Sequence, residues 1–340
     1  MQTKKTQKAK EIGGIGEIGG IGETKDLIDF GGGVSAFYLE NEQKTQICIL
    51  SFAGIIHEFK IFNNGKWRNF VANLDSFSEY LKNPYQVNKQ IGRVSSRIEN
   101  ARFNIDGVEY KLEANDGAHC LHGGSFGLGY RHFEARFISK KKLILQTTIT
   151  EGEDNFPGTL KLTIIYELDN DNRLDITYIA HQLLKDGIFD PTMHIYWKMD
   201  FESTAVKLKD ALPINTDESK IPLPGPSLAG ALCEDIRSDL KQRLCDMLED
   251  GKLDAIYKIK PSLCEPVAVI DDKDKEIKIF SSRDALILFG ANVHNGELNA
   301  LATEPQSIPN AINNKLSDIS IKKDEIKIYK MGFQIKAKDR

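Results

Sequence analysis

Along much of the chain apolar residues recur at every second position, in runs too short for anything but strands. Leu160, Leu162, Ile164, Tyr166 and Leu168 alternate with Lys161, Thr163 and Glu167, and beyond Asp169 to Asn172 the rhythm resumes at Leu174, Ile176, Tyr178 and Ala180. A period of two turns one face of a strand to a core and the other toward water. Ile47 to Phe52 is a continuous apolar run that ends at Ala53-Gly54, as a strand buried on both faces would. Asn63-Asn64-Gly65, flanked by apolar residues between Phe59 and Val71, and Ile105-Asp106-Gly107-Val108 are hairpin signals, because consecutive positive φ angles are cheapest at Asn, Asp and Gly. Ile277 to Ile279, Leu286 to Leu288, Ile326 to Ile328 and Phe333 to Ile335 carry the pattern to the end of the chain. Such strands with turn punctuation predict an all-β protein, a large antiparallel β-sandwich.

One stretch departs from the period. From Ser227 to Glu249, Leu228, Leu232, Ile236, Leu240, Leu244 and Leu248 recur every four residues with charges between them, after Pro224-Gly225-Pro226 and before Gly251. The spacing predicts an amphipathic helix over 227–249, an insertion whose apolar stripe packs on the sandwich. Residues 1–25 repeat Glu-Ile-Gly-Gly-Ile-Gly from Glu11 and Glu17. The formal GxGxxG within them has neither a strand before it nor a helix after it, so a flexible low-complexity tail is expected in place of a dinucleotide site. A single domain is expected over 26–340, its first strand near Phe37.

With 41% apolar and 28% charged residues the chain has the balance of a globular protein with a sizeable core. A net charge of −4 offers no electrostatic attraction for nucleic acid or an anionic membrane, and a small neutral ligand fits better. Five scattered cysteines, Cys48, Cys120, Cys233, Cys245 and Cys264, argue against a disulfide framework and for a reducing compartment, with the cytoplasm as the expected location.

Candidate chemistry concentrates between Asn115 and Phe133, where His119 and His122 stand beside glycines that leave the backbone open to a ligand. Zinc is the alternative there, with His119, Cys120 and His122 as ligand types. No second Cys/His cluster lies near to complete four ligands, so no metal is expected. His119 also reads as a residue that only hydrogen-bonds turn backbone.

Leu121-His122-Gly123-Gly124 resembles the aldose 1-epimerase (galactose mutarotase) family, and the resemblance extends over about residues 43–335. Ile91-Gly92-Arg93, Arg97-Ile98, Arg102-Phe103, Asp106-Gly107 and Tyr110-Lys111-Leu112 precede it in the family's order. Phe156-Pro157-Gly158, Pro191 to Trp197, Asp254, Glu304-Pro305-Gln306 and Pro309-Asn310-Ala311 follow. The resemblance implies one sandwich domain and interconversion of the α and β anomers of a free hexose such as galactose or glucose, without a cofactor. It implies Glu304 as base, His194 as acid, and Arg97, His122 and Asp254 as groups that hold the sugar. His119, Gln306, Tyr85 and Phe126 are further candidates for sugar contact, the two aromatics as stacking faces. Ser96, Phe133 and Ala255 depart from the residues usual in the family, which bears on hexose preference more than on chemistry. A non-catalytic carbohydrate-binding or regulatory protein on the same fold is the competing reading. A hexose-phosphate epimerase is another, with Arg93, Arg97 and Arg102 as candidate phosphate groups.

Overall fold

The computed structural model describes residues 28–224, 239–293 and 299–339. Strands dominate, and every strand pair is antiparallel. A nine-stranded sheet runs in the order Leu240–Arg243, Ala205–Leu208, Ala268–Asp271, Lys275–Ser281, Ile326–Ala337, Arg173–Leu183, Thr159–Leu168, Lys142–Ile149 and Glu134–Ser139. Facing it are two five-stranded sheets. One is built from Ile28–Asp29, Ser35–Glu40, Thr45–Leu50, Ile56–Asn63 and Lys66–Asn69; the other has the order Ile195–Lys198, Ala300–Gln306, Ala285–Ala291, Asp254–Ile259 and Ala211–Ile214. The two are joined where Val71 bridges Trp197 and the Ala72 amide donates to the Tyr196 carbonyl. The principal core lies between these layers: Leu162, Ile164, Tyr178 and Phe333 from the large sheet meet Ile47, Phe59, Trp197, Leu288 and Leu301. The all-β sandwich is therefore the observed fold.

The turn chemistry predicted from sequence is present. Asn64 and Gly65, at φ 50° and 78°, close the Asn63–Lys66 hairpin, and Asp106 and Gly107, at 51° and 84°, close Ile105–Val108. The alternation from Leu160 to Leu168 gives buried residues at each even position. Ile326 to Ile328 and Phe333 to Ile335 are parts of one twelve-residue strand.

Two expectations fall partly or wholly outside the described residues: the tail at 1–25, and residues 227–238 of the predicted helix. From residue 240 onward the chain is not helical. Leu240–Arg243 is an edge strand pairing with Ala205–Leu208, and Cys245–Met247 forms a single 3-10 turn. Apolar residues four apart occupy one face of a helix, but four is also an even number of strand steps, so Leu240 and Leu244 satisfy both patterns. Pairing with the open edge settled it, since a strand there recovers ladder hydrogen bonds that an exposed edge leaves unmade.

Candidate active site

The five-stranded sheet ending in Ile195–Lys198 has a core face and a cleft face. Thr303 pairs with Ile195 and Leu288, and Leu288 pairs with Ala255; this row points into the principal core. The adjacent row points the other way. Continuing the Ile195↔Thr303 register by one residue sets His194 opposite Glu304, Glu304 pairs with Ile287, and Ile287 pairs with Ile256. One row further, Tyr196, Ala302, Phe289 and Asp254 are cross-strand neighbours on that same face. Because side chains alternate strictly along a strand, this register alone gathers His194, Glu304, Gln306 and Asp254 on one floor. Ile256, Ile287 and Phe289 make the rest of that floor apolar.

Above the floor stand Ser95, Ser96, Arg97, Leu121 and His122 on one side, with Pro84, Tyr85 and Pro309 completing the rim. Glycine makes that wall possible. Gly123, at φ 78°, lies so close to the Gly92 carbonyl that a Cβ would sit 2.2 Å from its oxygen, and His122 itself takes φ 57°. The His122 amide donates to the Ser95 carbonyl, and the Asn115 side chain bonds both the amide and the carbonyl of Leu121. The cleft encloses about 140 Å³. That is roughly ten times the ~10–15 Å³ one water needs on the same measure, so it has room for a small polyol and not only for a water.

At the bottom, Nε2 of His194 is 3.2 Å from Oε1 of Glu304 and both residues are only 4% exposed. Nδ1 of His194 and Oε1 of Gln306 are buried without a hydrogen-bond partner among the described residues. The His122 ring meets His194 edge-on at 5.1 Å, and Tyr196 packs on the other side at 5.0 Å. Asn88, fully buried, braces the backbone: its amide donates to the His194 carbonyl, its Oδ1 accepts from the Tyr196 amide, and its Nδ2 donates to the Ala72 carbonyl. Arg97 is held by Asp116, Nε to Oδ2 at 2.6 Å, which leaves its remaining N–H donors for the cleft.

Electrostatics set the charge states. Burial, helped by His194, Arg97 and Lys89, drives the His122 imidazole well below its ordinary value, so it is neutral near pH 7 and can both donate and accept. Burial also raises the Asp254 carboxyl above the usual range, against the opposing pull of Lys220 and Arg97.

Of the residues singled out from sequence, His194, Glu304, Arg97, His122, Asp254, Gln306 and Tyr85 all line this cleft. His119 and Phe126 do not. His119 accepts the Asn100 amide at Nδ1 and bridges Asp116, so it shapes the turn that holds Asp116 against Arg97; Phe126 is exposed, at 59%. Ser96 is the single family departure that touches the cleft: Ala255 lies on the core face of its strand and Phe133 is buried in the principal core. Arg93 is fully buried on Asp154, Pro157 and Gly158, and Arg102 is exposed beside Glu109, so neither reaches the cleft. Sequence reading gave no role to Asp116 or Asn88, whose partners are distant in the chain, nor to Ile256, Ile287 and Phe289, whose alternation marks a strand face but not which layer it meets.

Comparison with known proteins agrees with this geometry. Residues 35–334 match the family model described as aldose 1-epimerase. The chain is 32% identical over 300 residues to the maltose epimerase of Levilactobacillus brevis, covering 82% of this chain and 88% of that protein. It is 28% identical to the aldose 1-epimerase of Streptococcus thermophilus, covering 89% and 94% respectively. Among solved structures, a GalM/aldose epimerase homologue from C. elegans superposes with a TM-score of 0.78 at 23% identity, over 90% of this chain and all of that one, which speaks to the fold. With the family model spanning nearly all the described residues and the buried His194–Glu304 pair in place, the chain is an isomerase that belongs to the aldose 1-epimerase family.

Proposed function

We propose that the protein interconverts the α and β anomers of a free aldose held in pyranose form in this cleft. The observation that carries the reading is the His194–Glu304 pair: an imidazole N–H and a carboxylate, side by side on one sheet face, buried and open only to the cleft. Glu304 takes the proton of the C1 hydroxyl while His194 gives one to the ring oxygen, so the C1 to ring-oxygen bond breaks without net charge accumulating on the sugar. The C1 to C2 bond of the open aldehyde rotates. Reclosure on the other face returns both protons, His194 now acting as base and Glu304 as acid. Arg97, neutral His122, Asp254 and Gln306 supply donors and acceptors for ring hydroxyls, and Tyr85 and Phe289 offer apolar faces for the ring carbons.

The ligand is a free sugar in this reading. A phosphoryl group would be expected to meet a cluster of cations, and among the described residues Arg97 is the one arginine that lines the cleft, its charge already shared with Asp116. The Levilactobacillus brevis relative is named for maltose, so the reducing glucose of a disaccharide belongs among the substrates to be tried beside glucose and galactose. Polarimetry of freshly dissolved α-D-glucose, α-D-galactose and maltose, with and without the full chain, tests the proposal. Faster approach to anomeric equilibrium is expected for at least one of them; unchanged rates for all three would overturn it. The cytoplasmic location expected from the cysteines accords with the free thiols of Cys48, Cys120, Cys245 and Cys264.

A further inference from the structure

The three groups at the bottom of the cleft also make a set that ordinary acid–base chemistry does not need. One ligand atom from each of His122, His194 and Glu304 lies within 4.8 Å of the other two. Two imidazoles and a carboxylate, with a position left open, form the donor set that zinc and neighbouring first-row divalent ions take in sites that keep an exchangeable ligand. In a tetrahedral site with metal–ligand bonds of roughly 2.0–2.2 Å, the ligand atoms stand about 3.4 Å apart. His194 Nε2 and Glu304 Oε1, at 3.2 Å, are already at that spacing. The His122 ligand atom, within 4.8 Å of the other two, has further to come, and its side chain is the one member of the three that is not fully buried.

We propose that His122, His194 and Glu304 bind a single divalent transition-metal ion of the zinc class, and that the ion and the sugar exclude each other. The binding stands apart from the catalytic reading; the exclusion of sugar rests on it. Coordination would occupy the carboxylate oxygen that accepts the C1 proton and the nitrogen that delivers one to the ring oxygen. The ion therefore inhibits. The surrounding shell fits an inhibitory ion better than a resident one. A ligating histidine ordinarily gives its second ring N–H to an acceptor, loss of which typically costs 10–100-fold in affinity, and Nδ1 of His194 has none among the described residues.

Cobalt(II) reports the site directly, through the visible bands of a four- or five-coordinate ion, and zinc titration of the chelator-treated full chain gives the stoichiometry. One equivalent should bind. His122→Ala and, as a conservative check on folding, His122→Gln should each weaken binding at least tenfold, Glu304→Gln likewise, whereas His119→Ala and Cys264→Ser should leave it within twofold. Saturating substrate sugar should displace the cobalt bands. Absence of the bands, or bands that persist in both His122 variants, would overturn the site. If the bands obey the variants but no aldose is turned over in polarimetry, the metal site stands and the catalytic reading fails; anomers exchanged with no cobalt bound is the reverse.

Discussion

His194 and Glu304 face each other as cross-strand neighbours, Nε2 to Oε1 at 3.2 Å, one register step beyond the last ladder pair of their two strands. Their spacing is set by backbone hydrogen bonds rather than by long flexible side chains. Glu304→Gln keeps the shape but cannot accept a proton, and His194→Asn keeps a polar contact but cannot act as an acid near neutral pH. Each should lower kcat by about 10² to 10⁴ with a smaller change in KM. The double variant should fall well short of the product of the two losses, since both groups serve one step. Folded single variants that turn over within about threefold of the wild type would remove these assignments.

His122 gives a pH signature in stability. Its folded value lies well below its ordinary one, so as pH falls below about 6.5 the unfolded chain takes up a proton that the folded chain refuses. Stability is intact above that pH and declines below it, by up to about 1.4 kcal/mol per pH unit for this one site. Denaturant melts at a series of pH values should show a shallower decline between pH 6.5 and 5 for His122→Gln than for the wild type. Parallel curves would mean that folding leaves the proton affinity of His122 unchanged.

Lys89 is fully buried, with Gln86 Oε1 as its hydrogen-bond partner and the Tyr130 and Phe52 rings over its ammonium. Burial pushes it down to about 8, against an unfolded value near 10.4. The depressed value means that keeping the charge costs the folded state free energy below pH 8, a cost that fades as pH rises toward 10.4. Lys89→Met fills the same space without the charge and should stabilise the protein at pH 7 by about 1–3 kcal/mol, less at pH 10. A Met variant less stable than wild type at pH 7 would contradict this account.

Gly123→Ala tests the wall that carries His122. The substitution meets both an unfavourable φ and the Gly92 carbonyl, so it should destabilise by roughly 2 kcal/mol or more and weaken sugar binding before it affects the remote sheet edge. Thermal melts and KM measured together would show it; a neutral alanine would mean that the loop has slack.

The fold was legible because period-two burial and positive-φ turns are local: Leu160 to Leu168 and Asn63-Asn64-Gly65 each state their structure within ten residues. The cleft was legible through short motifs, which brought seven candidate residues together. What local reasoning could not supply was pairing between distant segments. The edge strand at Leu240 needed Ala205–Leu208 to exist, Arg97 needed Asp116, and the bracing of His194 needed Asn88. His119 and Phe126 share a glycine-rich segment with His122 but not its orientation, and composition carries no orientation.

The two-faced sheet under the cleft ties chemistry to counting. On the strand Ala300–Gln306 the even positions Glu304 and Gln306 face the cleft, while Leu301 and Thr303 stand in the row that faces the core, so inserting or deleting one residue there would exchange Glu304 for Thr303 or Pro305 and bury a carboxylate among hydrocarbon. Length changes in this strand are tolerable only in pairs. The His194–Glu304 pair is thus protected by the same parity that protects the core, and a molecule that presents both groups to the cleft is also one whose strands have docked in the right frame.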